Sequence, residues 1–99
     1  MSTKTNVVLD EKVEQIVTEP DMVKVIMLND EVTPVDFVVQ LLIQIFKHSA
    51  VTAKEITLKI HTEGSGIVGE YSYEIAEQKT KEAVEESRSR GYPLQVRME

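Results

Sequence analysis

Asn29-Asp30-Glu31 and, later in the chain, His61 hold the oxygen and nitrogen lone pairs best suited to specific chemistry. An amide oxygen, carboxylates and an imidazole nitrogen can converge on an ammonium group, ligate a metal, or move a proton. The last two readings are thin. The only other histidine is His48, there is no His-x-x-Glu-His-type spacing, no serine in a nucleophile elbow, and no phosphate-cradling glycine loop before a helix. Absence of cysteine removes disulfides, thiolate metal sites and a thiol nucleophile. No enzyme, metal or cofactor is therefore expected. An ammonium carries three donors, so a receptor for one needs fixed acceptors meeting at a point. Each charge-assisted hydrogen bond contributes roughly 1.5–3 kcal/mol, so two or three would separate a free amine from a capped one by orders of magnitude. Taken singly, Asn29-Asp30 reads more simply as a turn and His61 as a surface residue at a helix end.

The elements that must position these groups follow from pattern. Met22 to Leu28 is dense in branched apolar residues, as in a buried strand, and Asn29-Asp30-Glu31 ends it. Thr33-Pro34 opens a helix to about Lys47, with the Thr33 hydroxyl as cap and Asp36 on the positive end of the dipole. Its apolar residues cover more than one stripe, which predicts packing on two sides. Thr52-Ala-Lys-Glu55 reads as a capping box for a second helix ending near His61. Ile67 to Tyr73 alternates as a strand, with Ile67, Gly69, Tyr71 and Tyr73 on one face. A third helix spans Glu74 to about Arg90, with Gly91 at its C-terminal cap, and Leu94, Val96 and Met98 alternate in a closing strand. The fold expected is α+β: one compact β-α-α-β-α-β domain over residues 22–99, a three-stranded antiparallel sheet packed against three helices. Residues 1–21 lack aromatics, carry scattered carboxylates and end near Pro20, which reads as a flexible N-terminal extension.

Ninety-nine residues allow one modest core. The apolar share of 41% and charged share of 28% are those of a folding domain. A net charge of −6 argues against nucleic acid, which needs clustered Lys and Arg to displace counterions. No apolar run approaches the ~20 residues of a membrane span, and the N-terminal residues do not form a signal peptide. A cytoplasmic location is expected.

Several motifs in register resemble the ClpS family, adaptors of the ATP-dependent Clp protease. They are Val23-Lys-Val-Ile-Met-Leu-Asn-Asp-Glu-Val-Thr-Pro-Val-Asp-Phe-Val38, Ile60-His61 before Gly64-x-Gly-Ile-Val-Gly69, Glu74-Ile-Ala-Glu-x-Lys79, and Pro93-Leu94. The resemblance covers about residues 22–99. It implies a non-enzymatic adaptor of the N-end rule pathway, which binds the free amino terminus of a protein whose first residue is bulky and apolar (Leu, Phe, Tyr or Trp) and delivers it to a Clp protease. Asn29, Asp30 and His61 would hold the α-amino group. Thr33, Val35, Val38, Thr57, Ile60 and Leu94 would surround the first side chain. Glu74 and Lys79 would dock on the N-terminal domain of a ClpA-type AAA+ ATPase, with the adaptor a monomer and the N-terminal extension an arm reaching the translocation channel.

Three positions depart from the family pattern: Glu31 for the usual second Asp, Val35 where many members have Met, and Thr57 where a long apolar residue is common. Val35 shortens a wall that excludes β-branched first residues, so Ile and Val should gain relative to Leu. The rival reading is a structural interaction module without amino-terminus recognition. The same element order resembles the carboxy-terminal domain of the ribosomal stalk protein, so the fold alone does not decide function.

Overall fold

A computed structural model describes residues 21–99. The expected N-terminal extension, residues 1–21, lies outside the described residues except for Asp21. Strand β1 (Met22–Leu28) is followed by helices α1 (Val35–Gln44) and α2 (Ala50–Glu63), strand β2 (Ser65–Ser72), helix α3 (Tyr73–Ser89) and strand β3 (Gln95–Met98). The sheet is antiparallel with order β2-β1-β3, so the first described strand is its centre. This is the expected β-α-α-β-α-β architecture.

Val25 and Met27 of β1, Val68 of β2 and Val96 of β3 are buried beneath Phe37, Val38, Leu41 and Leu42 of α1, Ala53 and Ile60 of α2, and Ala76 and Ala83 of α3. α1 contributes four buried residues, which is why its apolar positions exceed one stripe. Small residues on the inner face of α3 let it lie close to the sheet.

Local chemistry differs from the sequence expectation at three places. Thr33 does not cap α1. Pro34 occupies the cap position without a side-chain bond, and the Thr33 hydroxyl instead donates to Asp30 Oδ2. α2 begins before Thr52 because Ser49 takes the cap, its hydroxyl oxygen accepting from the Thr52 amide at 3.1 Å. In β2 the register shifts opposite Val25 and Ile26, where Val25 pairs with Gly69 and Ile26 with Ile67. The extra residue is Val68, a β-bulge that turns Val68 inward and leaves Ile67 exposed. A side chain at Gly69 would collide with the Tyr71 ring lying across it.

α1 also stops short of Lys47. Lys47 takes a left-handed φ of 63°, the His48 amide donates back to Leu42 O at 3.0 Å, and the His48 ring bonds the bulge carbonyl of Val68 at 2.6 Å. The Lys79 ammonium donates to Ile45 O at 2.7 Å, placing positive charge at the negative end of the helix dipole. At the other end of α3 the Arg88 Nη1 donates to Tyr92 O and Leu94 O, at 3.0 and 2.8 Å, and so fixes the approach to β3.

Candidate functional site

Residues of α2 at i, i+3, i+4 and i+7 share one helix face, and Lys54, Thr57, Leu58 and His61 have that spacing. With Val35 and Val39 of α1 they line a hollow of about 160 Å³ whose wall is almost wholly carbon. An apolar cavity of ~150 Å³ accepts a benzene ring, so this space suits one benzyl or isobutyl side chain. Thr57 does not make it polar. Its hydroxyl donates to Ala53 O at 2.7 Å, which leaves the methyl for the hollow. Val35 and Leu58 stand 54% and 62% exposed, large apolar surface of the kind expected at a mouth that receives something apolar.

Asn29 and Asp30 are brought to the same end of α2 by the backbone. The Asn29 N–H donates to Gly64 O at 2.9 Å, and Gly64, in the left-handed conformation at φ 91°, caps the turn that carries His61. Both Asn29 and His61 are exposed, and among the described residues neither the Asn29 side chain nor the His61 ring has a hydrogen-bond partner. Their acceptors are available.

The Asp30 carboxylate is partly used. Oδ1 accepts from the Val32 and Thr33 amides at 2.8 and 2.7 Å, and Oδ2 accepts from the Thr33 hydroxyl at 2.8 Å. Of the roughly four lone-pair sites on a carboxylate, one on Oδ2 is left. Partial burial opposes ionisation of Asp30, but the Thr33 and Val32 amides, the Thr33 hydroxyl and the Arg88 charge outweigh it and hold the pKa below the ordinary carboxylate value. The side chain is an anion that organises its own loop.

The expected residues do not all line one hollow. Val35, Thr57 and His61 do; Asn29 and Asp30 border a second depression of about 210 Å³ with Leu28, Pro93 and Gln95. Val38, Ile60 and Leu94, at 7%, 3% and 1% exposure, belong to the core, and Thr33 is tied to Asp30. Val39, Leu58 and Lys54 were missed from sequence. For Lys54 and Leu58 the signal that could have found them was their helical spacing from His61. Of the two expected docking residues, Glu74 is exposed in the first turn of α3, whereas the Lys79 ammonium is engaged with Ile45 O and lies 5.3 Å from the Tyr71 ring centroid. Among the described residues no group of three or more His, Cys, Asp or Glu could hold a metal ion, and no helix is long and apolar enough to cross a membrane.

Residues 18–97 match the family described as ATP-dependent Clp protease adaptor protein ClpS. An ATP-dependent Clp protease adapter protein ClpS of Burkholderia thailandensis is 44% identical over 89 residues, which span 90% of this chain and 86% of the relative. A protein of the same description from Burkholderia pseudomallei gives the same figures. Among solved structures, ClpS2 of Agrobacterium tumefaciens bound to L-phenylalaninamide superposes with a TM-score of 0.79 at 36% identity, covering 82% of this chain and 98% of that one.

Proposed function

We propose, for a chain that belongs to the ClpS family of ATP-dependent Clp protease adaptors, that it grips the free amino terminus of proteins with a bulky apolar first residue and delivers them to a ClpA-type AAA+ partner. The carrying observation is the carbon-walled hollow of about 160 Å³ with His61 on its lining. In the proposed complex the first side chain fills that space and the ammonium sits at the His61 end. Asn29 and the remaining Oδ2 lone pair of Asp30, on a loop fastened to the same turn through Gly64, complete the acceptor set. The ligand of the Agrobacterium ClpS2 structure supports this reading. L-phenylalaninamide has a free α-amino group, a benzyl side chain and a blocked carboxyl, which is the first residue of a chain in miniature.

Peptides differing only at the first residue test the reading. Leu, Phe, Tyr and Trp should bind, and Gly, Ser and Asp should not, in a fluorescence anisotropy titration. Equal binding across the series would remove amino-terminus recognition and leave the structural interaction module. Delivery is read separately, as degradation of a Leu-initial reporter by the partner ATPase and its peptidase. The same assay on a chain lacking residues 1–21 reads the role of the N-terminal arm, and substitution of Glu74 or Lys79 reads docking. Lys79 also caps α1, so its substitution needs a thermal melt alongside.

First-residue preference should follow the short wall at Val35. One methylene in an apolar pocket discriminates by ~1–3 kcal/mol. Val35→Met should therefore lower the Ile-to-Leu affinity ratio by roughly tenfold, at the conservative end of that range. An unchanged ratio would show that Val35 does not face the first side chain.

A further inference from the structure

Lys54 lines the hollow although the wall is almost wholly carbon. Its methylenes therefore form wall while the ammonium stands at the mouth, the usual posture of a lysine over apolar surface. Among the described residues no carboxylate lines the hollow, and Asp36, next to Val35 in sequence, opens on a different groove with Phe37, Gln40 and Tyr92. On a chain of net charge −6, this mouth is a local cationic exception among the described residues.

The spacing says what the cation would meet. Seven residues of helix separate Lys54 from His61, a rise of ~10 Å. An extended peptide covers ~3.3–3.6 Å per residue, so a chain whose amino group is held at His61 and which runs along α2 brings its second and third side chains toward Lys54. We propose that Lys54 is a specificity-determining residue that favours a carboxylate side chain at the second or third position of the bound protein and disfavours a lysine or arginine there. This rests on the amino-terminus reading above, and concerns residues that the apolar hollow does not read.

The test uses Leu-initial peptides with Glu or with Lys at positions two and three, each with a free and an acetylated amino group, titrated against the full chain. An exposed charge pair of this kind gives the Glu peptide roughly 2- to 5-fold tighter binding at low salt, and the difference shrinks at high salt. Lys54→Met keeps most of the wall, removes the charge and should abolish the difference; Lys54→Glu should reverse it. Equal binding of the two free-amino peptides, or a difference that survives in Lys54→Met, overturns the assignment while the amino-terminus reading stands. Acetylated peptides binding as well as free ones would instead overturn the reading on which it rests.

Discussion

Acetylating the α-amino group of a Leu-initial peptide should weaken its binding by roughly 100-fold or more, the conservative product of two charge-assisted hydrogen bonds. The acetyl group leaves the first side chain intact, so any contribution from the hollow remains and the loss isolates the ammonium. Asn29→Ala and His61→Ala should each weaken the free-amino peptide by roughly tenfold, one such bond apiece, with little change for the acetylated one. Both side chains are exposed and without described protein partners, so neither substitution should lower the melting temperature appreciably. Anisotropy with matched peptides and a thermal melt of each variant measure this. Should acetylation change affinity by less than threefold, the lone pairs of Asn29, Asp30 and His61 do not meet an ammonium.

Asp30→Ala should cost both affinity and stability, because this carboxylate serves its loop before it serves a ligand. Two amides and a hydroxyl lose their acceptor, at about 2 kcal/mol in total after water replaces part of the bonding. For a domain of this size that corresponds to a fall of ~8–16 °C in melting temperature. The pH dependence follows from linkage. The folded pKa lies below the ordinary carboxylate value, so the charged form stabilises the fold fully above that value. That stability is lost as pH falls through the lower folded pKa. The stability gap between the parent chain and Asp30→Asn should accordingly be flat from pH 8 to about 5 and close below about pH 4. A gap that stays constant down to pH 3 would mean that ionisation of Asp30 contributes nothing.

Element order was legible because each segment carries its own period and punctuation. Gly64 and Gly91 stand where the chain takes positive φ, and Gly91 was the expected cap of the third helix. What escaped depends on partners distant in sequence. The bulge at Val68 is set by the ladder to β1 and by a bond from His48, so the local alternation of β2 did not foretell it. The end of α1 is fixed by Lys79, thirty-four positions later, which no window over α1 contains. Both Ser49 and Thr52 have capping chemistry, and the helix took the earlier one. Of the residues the resemblance singled out, Val35, Thr57 and His61 line the hollow, whereas Val38, Ile60 and Leu94 lie in the core. The wall residue Val39 became visible only when α1 and α2 were set side by side.

The placement of β1 at the centre of the sheet leaves β2 and β3, among the described residues, as its two rims, the places where another strand could add. The β3 rim is only four residues long and carries the charged Arg97, which pairs with Glu99 at 3.0 Å. The β2 rim is kinked by its bulge and bears Glu70. Short length, charge and a kink are the standard deterrents to edge-to-edge aggregation. An unfolding chain rich in exposed backbone would find little on these rims to zip onto.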